Sequence, residues 1–230
     1  MCGRYTLRTR LNRLAELYLF DPPGEENLSR YNIAPTQQVA AVRAQDDSER
    51  RELVFLRWGL VPSWADDLKI GNRLINARAD TVADKPSFRS AFKKRRCLVL
   101  ADGFYEWTKN GKAKQPYYIT MKDGRPFAFA GLWERWNKGE RPVESCTIIT
   151  TDANDVVSAI HDRMPVILYD EGVNLWLDGD IESKDFLNSL LVPYSDDEMK
   201  AYPVSTIVNS SKNEVTKCVE LFEHFNTRDK

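Results

Sequence analysis

The chain begins MCGRYTL, and Cys2 carries the richest chemistry in it. A small second residue favours loss of the initiator methionine, which would leave Cys2 as the N-terminus. Its α-amine and its thiol then sit on adjacent carbons. Ordinary pKa values of about 7.7–8.0 for the amine and about 8.5 for the thiol leave both partly nucleophilic near neutral pH. Such an aminothiol condenses with an aldehyde: the amine forms a Schiff base, and the thiol closes on the same carbon to give a thiazolidine ring. No internal cysteine can do this. Gly3, directly behind, would let the backbone approach a ligand closely. A Met-Cys start is also what methionine processing alone would favour, so the stretch by itself leaves both readings open.

Three further stretches carry chemistry. In INARAD (75–80), Asn76 and Arg78 have the same parity and face the same way on a strand. An amide that donates and accepts would stand there beside a guanidinium fork suited to phosphate; the alternative is a solvated strand face. In ADGFYEW (101–107), an Asp-Gly turn leads to Glu106 between Tyr105 and Trp107. A carboxyl among rings has a raised pKa and can act as general acid or base, or it is a strand glutamate reaching solvent. In IHDRMPVIL (160–168), His161, Asp162 and Arg163 place an imidazole, a carboxylate and a guanidinium together. His161 can move protons near neutral pH, although a lone histidine is often structural. Among the six tryptophans, Trp64 lies in a loop beside Pro62, where an exposed ring could stack on an unpaired base.

Composition narrows the field. The 230 residues suit one domain (1–230, with a polar C-terminal tail from about 214) and can bury a core without staples. Cys2, Cys97, Cys146 and Cys218 lie far apart without CxxC spacing, and there are two histidines, so neither a zinc site nor any other metal or cofactor is expected. Cys97 and Cys146 read as buried, inert thiols. No apolar run approaches a membrane span and the N-terminus carries no signal-peptide pattern, so the expectation is a cytoplasmic protein. Net charge is -1, yet residues 1–100 hold 18 Lys and Arg against 12 Asp and Glu. A basic face able to grip a phosphate backbone is permitted by that asymmetry, not proved by it.

RYTL (4–7) reads as a strand, LNRLAELYLF (11–20) as an amphipathic helix and residues 21–35 as loop. QVAAVRA and ELVFLRWGL pair around the polar turn QDDSER, and VPSWADDLKIGNR is irregular. KPSFRSAFKK suggests a short helix. CLVLADGFYEW, QPYYITM, PFAFAGLWERW and SCTIITT are four more strands, separated by TKNGKAK, KDGR and NKGERP. Thr151 or Asp152 caps a helix through ANDVVSAI, MPVIL is a strand, DFLNSLLV is helical and KAYPVS is a late strand. About eight or nine strands without βαβ alternation imply an α+β fold: a mainly antiparallel, barrel-like or two-layered sheet with peripheral helices.

Taken in order, MCGRY, RYNIAP (30–35), RWGLVPSWA (57–65), INARAD, ADGFYEW, IHDRMPVIL and YPVSTIVNSSKN (202–213) resemble the SRAP family, once called SOS response-associated peptidases, over nearly the whole chain. The resemblance implies an SRAP-like fold and a DNA-damage protein that binds abasic sites in single-stranded DNA and links to them covalently through the N-terminal cysteine. It implies that Cys2 is the nucleophile and Asn76 holds the sugar. Glu106 would assist ring opening and methionine removal, and His161 would move protons. Arg4, Arg78 and Arg163 match positions that meet the DNA backbone, Pro35 and Trp64 lie in loops resembling those that wedge between or stack on bases, and Trp107 is a further DNA-binding position. Two departures stand out: Asp80 where the family pattern has Glu, and Lys85 where some relatives present an arginine. A protease or hydrolase-type self-processing step and a Schiff-base lyase side activity go with the family, as does a monomer acting on nucleoid DNA without a membrane partner. The rivals are an N-terminal-cysteine amidohydrolase or peptidase with another substrate, and a non-covalent single-strand binder in which Cys2 is incidental.

Overall fold

Apolar runs such as RCLVLA and FAFAGLWERW have almost no polar face to show water, so they become strands covered on both sides. The structure is a computed structural model that describes residues 2–22, 24, 29–45, 50–108 and 114–222. Among these, thirteen strands form: β1 Tyr5–Leu7, β2 Arg30–Ile33, β3 Gln38–Ala44, β4 Arg51–Trp58, β5 Asn76–Arg78, β6 Arg96–Ala101 and β7 Gly103–Trp107, followed by β8 Pro116–Met121, β9 Phe127–Trp136, β10 Val143–Asp152, β11 Arg163–Pro165, β12 Ile167–Leu168 and β13 Met199–Pro203. Five helices lie around them: α1 Leu11–Tyr18, α2 Arg89–Lys94, α3 Asp155–Ser158, α4 Asp170–Leu177 and α5 Lys184–Ser189.

Strands β10, β4, β3, β6 and β9 pair in that order, and β9 pairs back onto β10, which closes a five-stranded barrel. Its one parallel pair is β10 with β4. The long β10 runs past the barrel rim, where β5 joins it in parallel and β11 antiparallel. A second, antiparallel sheet has the order β13-β8-β7-β1-β2. The two layers meet through aromatic edges: Tyr5 packs on Trp58 (centroids 5.3 Å) and Phe129 (5.7 Å), and Phe104 packs on Phe129 (6.1 Å). The expected α+β architecture is therefore present, barrel and second layer together.

Several local expectations change. RYNI, inside the stretch read as loop, is the edge strand β2. It pairs antiparallel with β1, Tyr5 opposite Ile33 and Leu7 opposite Arg30, and Glu214 also accepts from the Tyr31 and Asn32 N–H groups, the latter at 2.8 Å. MPVIL splits into β11 and β12, which pair with different strands. The cap of α3 is Asn154, whose Oδ1 accepts from Val157 N–H at 3.0 Å, whereas Thr151 and Asp152 finish β10. Helix α4 was not expected; it buries Val173, Trp176 and Leu177 at helical spacing. Buried Arg96 serves its C-terminal end and that of α2, donating to the carbonyls of Trp176 (2.6 Å), Asp178, Phe92 (3.0 Å) and Lys93 (2.6 Å). QDDSER and TKNGKAK fall largely outside the described residues.

CLVLADGFYEW is two strands in two sheets, broken at Asp102. Asp102 is buried and binds β1 and its sequel: it accepts from Thr6 Oγ1 (2.6 Å), Arg8 Nε (3.2 Å), Thr9 N–H (2.8 Å) and Thr9 Oγ1 (3.1 Å). Beside it, a Cβ on Gly103 would fall 2.0 Å from Tyr118 Oη, so only glycine lets β7 leave the corner. Removing a buried carboxylate from such a network strands its donors. Asp102→Ala is expected to cost about 3 kcal/mol of stability, read from urea midpoints. A loss under about 1 kcal/mol would mean the corner is held by packing instead.

Candidate functional site

Cys2 is fully buried ahead of β1. Its thiol faces the Arg4 carbonyl at 3.9 Å, and its own carbonyl accepts from Asn76 Nδ2 at 2.7 Å. The second bond joins residues 74 apart in sequence, and Trp58 makes it possible. The Trp58 indole lies against Tyr5 of β1 and donates its Nε1–H to the Ile75 carbonyl at 2.9 Å, which sets β5 beside the N-terminal segment. The other side of the Asn76 amide is unsatisfied: Oδ1 is buried without a hydrogen-bond partner among the described residues. Within the RWGLVPSWA block Trp64 is the ring that the sequence singles out, and Trp58 carries no local sign of this role.

Burial pushes the Cys2 thiol well above its usual range, and the nearby Glu106 carboxylate pushes it further. The chain's terminal ammonium and the Arg4 carbonyl interaction act the other way. Glu106 is only 3% exposed. The two rings that flank it in sequence do not surround it. Tyr105 and Trp107 project from the opposite face of β7 into a cluster with Tyr118, Val208 and Cys218, while Phe104, of Glu106's parity, meets the barrel. The carboxyl is therefore buried on the barrel side, with Cys2, and not held between the rings.

Arg4 lies on the Tyr105 and Trp107 side. One nitrogen, Nη1, donates to Asn32 Oδ1 at 2.7 Å and to the Val208 carbonyl at 2.8 Å, and the guanidinium stands 6.0 Å from the Trp107 ring centre. Trp107 Nε1 in turn donates to Asn209 Oδ1 at 2.8 Å. Buried Asn32 is the hub: its Nδ2 donates to the carbonyls of Val208 (3.2 Å), Ser210 (2.9 Å) and Asn213 (2.8 Å). The late segment 208–213 is thereby strapped to β2 and, through Arg4, to the N-terminal segment that carries Cys2, a link no local pattern announces. Arg4 holds this strap before it can serve any ligand.

The other expected residues gather at the rim end of β10. Its register places Ile148 opposite Asn76, Thr150 opposite Arg78 and Asp152 opposite Arg163. Arg78 is 55% exposed and forms a two-bond pair with Asp80. Arg163 is only 12% exposed; its Nη1 donates to Asp152 at 2.7 Å and its Nη2 to the Thr150 carbonyl at 2.6 Å. His161 Nδ1 accepts from Arg163 N–H at 3.0 Å and lies 2.8 Å from the Asp162 carboxylate. A neutral ring with Nδ1 as acceptor carries its proton on Nε2, and a protonated ring can turn Nδ1–H to Asp162. Lys85 is exposed on the turn that follows β5. Pro35 and Trp64 stand on separate turns at the end of β4. Thr36 N–H bonds the Trp58 carbonyl at 2.8 Å, with Thr36 at φ 74, and Lys138 holds the Trp64 carbonyl at 2.7 Å, leaving that ring 54% exposed. Among the described residues, neither turn is tied by a hydrogen bond to Cys2.

The family described as SOS response associated peptidase (SRAP) matches residues 1–211. The abasic site processing protein YoqW of Bacillus subtilis is 47% identical over 225 residues, spanning 96% of this chain and 99% of YoqW. The abasic site processing protein HMCES of Xenopus tropicalis is 40% identical over 198 residues, which are 75% of this chain and 58% of HMCES. A crystal structure of a protein from Bacteroides thetaiotaomicron superposes with a TM-score of 0.86 at 29% identity, covering 96% of this chain and 100% of that one. With a family match across most of its length and relatives this similar, the chain belongs to the SRAP family.

Proposed function

We propose that this protein captures abasic sites in single-stranded DNA as a covalent link through Cys2 freed of Met1. The names of its relatives supply the substrate class. One observation carries the chemistry: Cys2 is buried beside Glu106, with Asn76 bonding its backbone and presenting an unsatisfied acceptor in the same place.

An abasic deoxyribose is an aldehyde masked as a ring hemiacetal. Opening it moves a proton from the anomeric hydroxyl to the ring oxygen, the task of Glu106. The Cys2 amine adds to the aldehyde carbon, and loss of one water leaves a Schiff base, with His161 giving the leaving hydroxyl its proton. The thiol then adds across C=N and its proton passes to nitrogen. One water is released per link, and nothing is oxidised or reduced. Asn76 Oδ1 receives a hydroxyl of the sugar or the free ammonium. A buried, protonated thiol suits the order, because it attacks only after the Schiff base has formed beside it. Hydrolysis of the Met1–Cys2 bond by water activated at Glu106 is a self-processing step that accounts for the word peptidase in the family description. Strand cleavage through the Schiff base is a side route. Arg78 and Arg163 serve the phosphates, and Pro35, Trp64 and Trp107 serve the bases.

The test is intact mass after incubation with single strands that contain or lack an abasic site. An adduct equal to protein without Met1, plus the oligonucleotide, minus one water is expected with the abasic strand alone. Equal masses in both samples would end this reading.

A further inference from the structure

Arg78 is 55% exposed at the rim, and its binding edge is already occupied. Strand β5 ends at Arg78, and the chain turns there: Thr81 and Val82 N–H donate to the Arg78 carbonyl at 3.1 and 2.8 Å. That turn swings Asp80 back over the guanidinium. Nε meets Oδ1 at 3.1 Å and Nη2 meets Oδ2 at 2.9 Å, a two-pronged pairing on the edge a phosphate would use. Asp152, 85% exposed, ends β10 directly beside, and Asp162 precedes Arg163. Both are near enough to act on Arg78 electrostatically. Three aspartates thus face two arginines, one of which, Arg163, is largely consumed by Asp152 and the Thr150 carbonyl.

We infer that Asp80 is a specificity-determining residue: it competes with backbone phosphate for Arg78 and so weakens the grip on undamaged single strands. The inference rests on the DNA-binding reading of this rim. Its consequence is selective. A phosphate can take the Arg78 fork only by displacing a carboxylate held two residues away, so an intact strand pays that exchange without return, whereas a damaged strand is retained by its covalent link.

Equilibrium binding of a fluorescent, undamaged single-stranded oligonucleotide tests it with no covalent step involved. Asp80→Asn is expected to tighten binding about two- to fivefold, the scale of one exposed ion pair. The plot of log affinity against log salt should steepen by about 0.7, the release expected for one more phosphate contact on a single strand. In an Arg78→Ala background the same change should lose most of its effect. The inference is overturned if Asp80→Asn leaves affinity unchanged or lowers it. It is equally overturned if the gain persists undiminished without Arg78, which would make it a matter of net charge, or if neither protein binds. A missing mass adduct together with tighter binding by Asp80→Asn would remove the covalent reading and leave this one standing.

Discussion

Cys2→Ala is expected to abolish the denaturant-resistant complex with abasic single strands. Alanine keeps the small second residue that allows methionine to leave, so an α-amine remains and a Schiff base can still form. What disappears is the second bond, and an imine hydrolyses under denaturing conditions. Borohydride, which reduces the imine to an amine, should therefore recover a crosslink from the alanine variant, and a gel with and without reductant checks this. Cys2→Ser should behave likewise, since a hydroxyl is a far weaker nucleophile than a thiol at neutral pH. In protein already freed of Met1, Glu106→Gln keeps shape and hydrogen bonding but cannot exchange a proton, and crosslink formation should slow by about a hundredfold. A stable crosslink in Cys2→Ala without reductant would mean that some other side chain makes the link. A fully buried residue at this position also tolerates alanine with the loss of a single sulfur, so the variant should fold.

Raising the pH above about 8.5 is expected to destabilise the protein steeply. Cys2, Cys97 and Cys146 are fully buried, and burial holds all three thiols well above their usual range. In the unfolded chain they lose protons above about pH 8.5; in the fold they keep them. The unfolded state then binds fewer protons, so the free energy of unfolding falls as pH rises, and the full contribution is present only below that value. Each such thiol adds a slope of about 1.4 kcal/mol per pH unit, or about 4 kcal/mol for the three together. Buried Tyr5 and Tyr118, whose hydroxyls are also pushed up by desolvation, steepen the fall above about pH 10. Urea midpoints between about pH 7.5 and about pH 9.5 measure it, and replacing Cys97 and Cys146 by alanine should remove about two-thirds of the thiol part. A flat profile would mean that the fold opens to hydroxide at these sites.

Much of the fold was legible because its barrel strands are written in continuous apolar runs and its turns in Gly, Pro and Asn. The errors have local causes. RYNI lacks a hydrophobic pattern strong enough to read as a strand, and it becomes one by pairing with β1, with Glu214, far away in sequence, taking two of its N–H groups. CLVLADGFYEW reads as one strand, because nothing local says that Asp102 is satisfied by Thr6, Arg8 and Thr9 and hence marks a corner between two sheets. The environment of Glu106 was misread for a related reason: neighbours in sequence alternate across a strand, so the rings beside it face away.

What Cys2 would be able to do once Met1 is gone was readable from the sequence alone, because an amine and a thiol on adjacent carbons are a matter of covalent connectivity that needs no folding. The types of the partners, an amide, a carboxyl, an imidazole and guanidinium groups, were readable in the same way. Which of them stand where was decided only by the tertiary structure. Asn76 reaches Cys2 across 74 residues because Trp58 ties β5 to β1. Arg4 is drawn into a strap with Asn32 and Val208, and Arg78 is held by Asp80 across a turn. Hydrogen bonds and ion pairs act over a few ångströms, so the partner that captures a side chain is set by strand register and closure of the barrel, which one-dimensional spacing does not contain.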